Sequence, residues 1–427
     1  QHTNLKYYIF KNIILNNLYG VDIMNEAVEI AKLRLFLKLV ATVDVNPRKE
    51  NYGLEPLPDI DFNVRAGNTL IGFATEKELL ETIQKKDGLF AQDKLEEFKE
   101  EFELVSKAYS HFQNAQLIND QGSDSFKKAK ADLNNRLNTL NHKLNLYLAT
   151  NYGITDAEGK QKDKYQQWLI THQPFHWFAE FYQIVAGNGG FDCIIGNPPY
   201  VVYNRKNKQT GKSVKDEYTI QNYDTLPTNN LYAFVIERTY KLINNETVGM
   251  IIPLTSVSND NMHELRVLLS NKGIQYYSHF EIRPSKLFDG VDQRLTIFIT
   301  RKSKAVQIKS TQINRWNSEQ RIDLFYSLEY SDGVLNNRLW RLSKPIENNI
   351  YDIFQAQKPI SHFLSKQKNR NNQIHYRTAG ARYWIIFTNN GFDSESLSNK
   401  SASFLSEFDS KFFSSVLNSN LYWWYYA

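Results

Sequence analysis

Apolar positions recur along this chain at two periods, and each predicts a different kind of element. Leu5, Ile9, Ile13 and Ile14 fall at helical spacing, and Leu18, Tyr19, Gly20 and Val21 form a short apolar run ending in Asp22, as a buried parallel strand would. Val28, Ala31, Leu35 and Leu39 then recur at spacings of three and four behind Asn25, a candidate cap. Phe62 to Val64 predict a strand that leads into Gly67-Asn68-Thr69-Leu70-Ile71-Gly72, a turn bracketed by glycines. Leu95, Phe98, Phe102, Val105, Tyr109 and Phe112 then make a heptad seam, matched after a turn-rich segment by Phe126, Ala129, Leu133, Leu137, Leu140, Leu144 and Tyr147. Residues 75–150 therefore read as an antiparallel helical hairpin inserted into an α/β domain, a structural or docking arm.

The α/β pattern resumes with a strand at Phe191 to Ile195, a polar loop from Asn204 to about Asp224 and a helix at Asn230 to Ile243. A strand at Val248 to Ile252, a helix at Asn259 to Leu269 and strands at Tyr276 to Glu281 and Leu295 to Thr300 follow. This alternation predicts a mostly parallel sheet with helices on both faces. Past about Lys304 the order fades into short elements rich in Arg, Asn, Tyr and Trp, read as a second domain.

Composition narrows the class. With 427 residues, 41% hydrophobic and 23% charged, the chain has material for two or three domains and is not a disordered tail. It has no long uncharged apolar run, and its single cysteine, Cys193, cannot form an internal disulfide, so a cytoplasmic protein without a membrane span is expected. Cys193 itself is expected to be a small buried residue. The net charge of +5 permits a polyanionic partner without requiring one. The chain opens on Gln1 and stops just after two tryptophans, so it reads as a stretch of a longer protein.

The sharpest chemical signal is Asn197-Pro198-Pro199-Tyr200 at the carboxyl end of a strand, where ligands bind in open α/β sheets. The Asn197 side-chain carbonyl and the Pro198 peptide carbonyl are two acceptors held by a stiff backbone, which suits an amino group. Tyr200 adds a flat face on which a planar ring can stack. A planar ring bearing an exocyclic amine is a nucleobase, and inside a duplex it must be flipped out to be reached.

These four residues resemble the catalytic tetrapeptide of S-adenosylmethionine-dependent amino-methyltransferases. The pattern from residue 10 to about 302 is similar to the gamma-class DNA adenine N6-methyltransferases, as found in type IIG restriction-modification enzymes. The resemblance implies a Rossmann-like methyltransferase sheet. Leu18 to Ile23 matches the strand whose terminal acid, Asp22, holds the cofactor ribose, and Gly67-Asn68-Thr69-Leu70 matches the turn contacting the cofactor adenine. An Asp often stands in the family where this chain has Asn68. Asn230 to Phe234 and Gly249 to Pro253 look like the next helix and strand, and the segment around Lys286-Leu287-Phe288 resembles the one whose Phe gives a second face for the flipped base. The implied assignments are Asn197, Pro198, Pro199 and Tyr200 as catalytic, Tyr200 and Phe288 as base-stacking, and Asp22, Ile23, Gly67, Asn68 and Asn197 as cofactor-binding. The family's glycine-rich cofactor loop should precede Leu18, yet no glycine occurs there, so the first strand is expected to be absent from this chain or supplied by another. No metal is needed for the methylation.

The expected organisation is therefore methyltransferase over 1–74, helical insert over 75–150, catalytic part over 151–304, and a partial mixed α/β target-recognition domain over 305–427. Double-stranded DNA is the expected partner, together with the remainder of the polypeptide or a companion restriction subunit. Arg205, Lys206, Lys208, Lys212 and Lys215 are candidate DNA-backbone contacts or simply a solvated loop, and Arg377 and Arg382 are further candidates among aromatics. Glutamine side chains of proteins, or RNA, remain alternative substrates, and a catalytically silent DNA-binding subunit is an alternative class. Gly211-Lys212-Ser213 lacks the upstream glycine of a phosphate loop, Glu97-Phe98-Lys99 lies within the heptad seam, and Pro174 separates His172 from His176, so none is taken as a site.

Overall fold

The computed structural model describes residues 4–48, 52, 56–117, 124–333, 335, 338–342, 344–378, 386–393 and 395–426. The first helix, α1 (Leu5–Asn17), ends where Asn63 donates from Nδ2 to the carbonyls of Ile14, Leu15 and Leu18. These bonds satisfy acceptors that a helix terminus leaves open. β1 (Gly20–Asp22), α2 (Asn25–Val40) and β2 (Val64–Ala66) follow, and the two strands pair in parallel with Asp22 opposite Ala66. Tyr7, Ile14, Leu15, Leu39 and Ile60 form a small core between them. Leu5, Ile9 and Ile13, from the same helical pattern, remain exposed.

The insert has three helices rather than two: α3 (Glu76–Asp87), α4 (Ala91–Leu117) and α5 (Asp124–Thr150). The expected seam is buried, with Leu95, Phe98, Phe102 and Phe112 in one cluster with Leu133, Leu137, Leu140 and Leu144. That cluster continues through Phe178, Phe234 and Val248, so the insert packs onto the α/β core.

After α6 (Lys162–His172) come β3 (Phe191–Gly196), α7 (Leu231–Leu242), β4 (Ile243–Pro253), α8 (His263–Leu269), β5 (Ile274–Phe280), β6 (Leu295–Arg301), β7 (Gln307–Asn314) and β8 (Ser331–Asp332). The strands form one sheet in the order β3, β4, β6, β5, β7, β8. The sheet is mixed, correcting the mostly parallel expectation: β6 runs antiparallel to β4 and β5 because the chain returns through residues 281–294 without a helical crossover. β3, β4, β5 and β7 point the same way, which puts residues 197–200, 281–294 and those after Asn314 on one edge.

Among the described residues β3 pairs with β4 alone and β1 with β2 alone. This open edge leaves Ile195 80% exposed and Cys193 exposed, so β3 is not the fully buried strand, nor Cys193 the buried residue, that the apolar run predicts. At the start of the two open strands the Tyr19 and Phe191 rings lie 6.0 Å apart, and both are in contact with Phe181.

The sheet also runs past residue 304, since β7 and β8 extend it, and the chain divides into compact units at Gln1–Arg341 and Leu342–Ala427. The second unit contains α9 (Pro345–Gln355), an antiparallel pair of β9 (Gln373–Arg377) and β10 (Asn399–Ser403), and α10 (Ser410–Leu417) and α11 (Asn420–Tyr426). Ile374, Phe387, Phe404 and Leu417 form its core. Among the described residues no helix is long and apolar enough to cross a membrane.

Candidate active site

At the end of β3 the close approach of Gly196 to Met250 leaves little room, since a Cβ on the glycine would lie 2.9 Å from the Met250 sulfur. The chain then leaves the sheet as Asn197-Pro198-Pro199-Tyr200, with Asn197 exposed, Pro198 buried and Tyr200 half-buried. The Tyr200 hydroxyl lies 2.7 Å from Asn197 Oδ1 and 2.9 Å from the Ile251 carbonyl oxygen on β4. Burial pushes this phenol up to about 12, so it keeps its proton at neutral pH. Beyond the tetrapeptide, Leu231 at the start of α7 donates its N–H to the Val201 carbonyl, and Tyr203 donates to the Asn229 carbonyl. The turn is thus held by β4 on one side and by α7 on the other.

A second group of predicted residues meets at the ends of β1 and β2. The Asp22 carbonyl accepts from Gly67 N, and its carboxylate Oδ1 accepts from Met24 N at 2.8 Å. Asp22 and Ile23 are exposed. Gly67 and Gly72 are both pressed against Phe175: a Cβ on Gly67 would meet its ring at 2.8 Å, and one on Gly72, at φ +133°, would meet its carbonyl at 2.1 Å. Between them Asn68 is only 3% exposed. Its backbone N–H donates to the Gln173 carbonyl and its Oδ1 accepts from Leu70 N, while Nδ2 has no hydrogen-bond partner. An unpaired buried donor costs about 1–3 kcal/mol.

The residues that hold this turn were not visible as a motif. Arg238 on α7 is 4% exposed and donates to the Tyr223 hydroxyl, to Glu78 and to the carbonyls of Leu70 and Gly72. Tyr223 donates to the same Leu70 carbonyl at 2.9 Å. Glu78, on the insert, accepts from Ala74 N, Arg238 and Lys241. Burial alone would raise its carboxyl, but the two cations and the Ala74 N–H outweigh that and hold it below its ordinary range. His176 accepts from Phe73 N through Nδ1, and its Nε2 faces Asn145 of α5 at 3.0 Å. Full burial, with Arg238 nearby, pushes His176 down to about 3, so the ring is neutral and serves the turn. The available signal was a charged pair, Glu237-Arg238, following an apolar run on one helix.

One helix joins the two groups. Leu231 of α7 binds the Val201 carbonyl just after the tetrapeptide, and Arg238, about two turns or ~10 Å along the axis, binds the carbonyls of Leu70 and Gly72 in the Asn68 turn.

The remaining candidates are more dispersed. Phe288 is half-buried on the carboxyl edge within 281–294, a segment tied down by Arg321 donating to the carbonyls of Lys286 and Leu287. No ring contact joins Phe288 to Tyr200 among the described residues. Arg205, Lys206, Lys208, Lys212 and Lys215 are all exposed on a loop whose base is fixed by buried Tyr203, which accepts from Ile220 N. In the second unit the Arg377 guanidinium binds Asn399 and lies over the Phe392 ring. Arg382 lies outside the described residues.

Known restriction-modification proteins resemble this chain in sequence. The chain is 30% identical to a putative type II restriction enzyme and methyltransferase of Methanocaldococcus jannaschii over 61% of its length, which is 24% of that relative. It is 30% identical to a type II methyltransferase of Haemophilus influenzae over 27% of its length and 23% of that relative. The chain thus spans about a quarter of the curated relatives it matches. Among solved structures, the Type ISP restriction-modification enzyme LlaGI with a DNA substrate mimic matches 40% of this chain and 20% of that one, at 12% identity and a TM-score of 0.31. Residues 16–288, which contain both residue groups described above, match the Eco57I restriction-modification methylase family, and the chain belongs to that family.

Proposed function

We propose that this chain is the methyltransferase part of a site-specific DNA-modifying enzyme that methylates the N6 amino group of adenine with S-adenosylmethionine, within a restriction-modification or phage-defence protein. The observation that carries the reading is Asn197, an exposed carboxamide held by Tyr200 beside the Pro198 carbonyl on the carboxyl edge of the sheet. Asn197 Oδ1 and the Pro198 carbonyl would accept the two amino hydrogens, which favours a pyramidal and more nucleophilic nitrogen. Tyr200 and Phe288 would hold the flipped ring from its faces. The work asked of the protein is positioning and electrostatics.

The residues fit the cofactor. Exposed Asp22 can meet ribose hydroxyls beside Gly67, and the orphaned Asn68 Nδ2 lies at the end of the neighbouring strand. When bound, S-adenosylmethionine supplies an electrophilic methyl group. The open edges of β1 and β3 support a further part of the reading: a strand between them, with a glycine-rich turn, completes the cofactor site and the sheet.

Asn197→Ala in the full-length protein tests the main claim. Methyl transfer to duplex DNA should fall by at least a hundredfold while DNA affinity stays within a few-fold, as expected when an interaction made in the transition state is removed. Equal activity of wild type on RNA or protein would defeat the DNA assignment. The same binding assay addresses the lysine-rich loop: neutralising Arg205, Lys206, Lys208, Lys212 and Lys215 should flatten the salt dependence of DNA affinity, by about 0.9 in log-log slope for each phosphate no longer neutralised. An unchanged slope leaves the loop merely solvated.

A further inference from the structure

Several arginines converge on the carboxyl edge of the main sheet, beyond the strand that leads to the tetrapeptide. Arg294 stands just before β6, where its carbonyl accepts from Leu254 N immediately after β4. Exposed Arg315 follows β7 and lies beside Glu281, whose N–H donates to the Asn314 carbonyl. Arg338 and Arg341 arrive on a later segment laid over the residues after β4 by buried Leu339, which donates its N–H to the Val257 carbonyl. Burial, together with the charges of Arg294 and Arg338, holds the Arg341 guanidinium below its ordinary value. Acids set against this group are Glu281 and Asp260. Glu281 takes Arg294 at Nε (3.0 Å) and Nη2 (2.8 Å), and Asp260 Oδ1 takes Arg338 at Nε (3.3 Å) and Nη2 (2.8 Å). Each acid pins one guanidinium plane and leaves its Nη1 without a protein partner among the described residues. The Arg294 and Arg338 side chains are 47% and 52% exposed, so an incoming anion can reach them.

Like charges gathered at one place repel one another, and an anion that bridges them relieves the repulsion. β4, β6, β5 and β7 are neighbours in that order. At ~4.8 Å per strand the group spans ~14 Å of the edge, a length over which one DNA strand presents about four phosphates along its axis. We propose that Arg294, Arg315, Arg338 and Arg341 form a seat for the DNA phosphate backbone beside the target base. A flipped base stays tied to its own backbone, and β3, which leads to Asn197, adjoins β4, so DNA whose base enters that site passes over the arginines. The contact is to phosphates rather than base edges, because the Nε–Nη2 fork of Arg294 and of Arg338 is taken by an acid and each remains as a pinned charge. The inference rests on the DNA reading above and is independent of the lysine-rich loop.

The test uses the full-length protein and a long unmethylated duplex DNA, with Arg315→Gln and Arg338→Gln combined. Arg294 stays in place, because its loss would strand the nearly buried Glu281. In the double variant the salt dependence of DNA affinity should become shallower by about 0.9 in log-log slope for each phosphate contact removed. The loss in methylation should appear in KM for DNA rather than in kcat. Arg338→Lys, which keeps the charge, should retain the wild-type slope. Asp260→Asn separates this role from a purely structural clamp. Relieved of a competing negative charge, the seat should bind DNA a few-fold more tightly, whereas a structural pair would lose affinity in Asp260→Asn as in Arg338→Gln. An unchanged slope in the double variant overturns the proposal, as does equal weakening in Asp260→Asn and Arg338→Gln. The two readings fail differently: a wild type that neither binds nor methylates duplex DNA defeats the DNA assignment, whereas a wild type that binds with a salt slope shared by the variants defeats only the arginine seat.

Discussion

At the scale of single residues, Tyr200 has two roles in the proposed reading. Its ring would offer a stacking face, and its hydroxyl reaches both the Asn197 carboxamide and the Ile251 carbonyl. The phenol has one proton to share between these two acceptors, and Asn197 Oδ1 keeps a second lone pair that, in the proposed reading, takes a substrate amine. Tyr200→Phe keeps the ring and removes the hydroxyl. In the full-length protein it should lower kcat by about tenfold or more, equivalent to ~1–2 kcal/mol, with KM for DNA little changed. Steady-state kinetics check this, and an unchanged kcat would mean that the hydroxyl does not orient Asn197. The residue types here were legible in the sequence, but the partner on β4 was not, because Ile251 lies 51 positions away and contributes only its backbone.

At the scale of elements, the helical insert is a brace for the Asn68 turn. Glu78 from α3 and Asn145 from α5 both act on residues 73 and 74 or on the groups that hold them. The Arg238–Glu78 pair has side chains 5% and 24% exposed, so Glu78→Ala strands a buried cation and should cost about 3–5 kcal/mol. Its pH dependence follows from the depressed carboxyl. A carboxylate stabilised in the fold contributes fully above its unfolded pKa, about 4.3, and loses that contribution as pH falls through the lower folded value. The stability gap between wild type and Glu78→Gln should therefore be widest near neutrality and close as the pH drops below the ordinary carboxylate range. Urea midpoints measured from pH 7 to pH 3 decide it, and a constant gap would place the stabilisation elsewhere. Heptad spacing showed that these helices pair. It did not show what they pack against, since a buried seam looks the same in a free hairpin and in one laid on a sheet.

For the whole molecule, the two open strand edges bear on what the chain does alone. β1 carries Asp22 and β3 leads to Asn197, and neither has a neighbour on its second side among the described residues. Isothermal titration of S-adenosylmethionine into this chain by itself should show weak or no binding, and tight binding would mean that the site is complete without a further strand. The amino-acid sequence determined the order of strands and helices, the tetrapeptide at a strand end and the glycine-bracketed turn, because each rests on local periodicity or on a few adjacent residues. Tertiary structure alone decided that β6 lies antiparallel between β4 and β5, that the sheet continues through β7 and β8, and that Cys193 is exposed. It also decided that Arg238 reaches back 168 residues to the Leu70 carbonyl. Pairing partners, open edges and buried ion pairs depend on which distant segments meet, and periodicity along the chain carries no information about that.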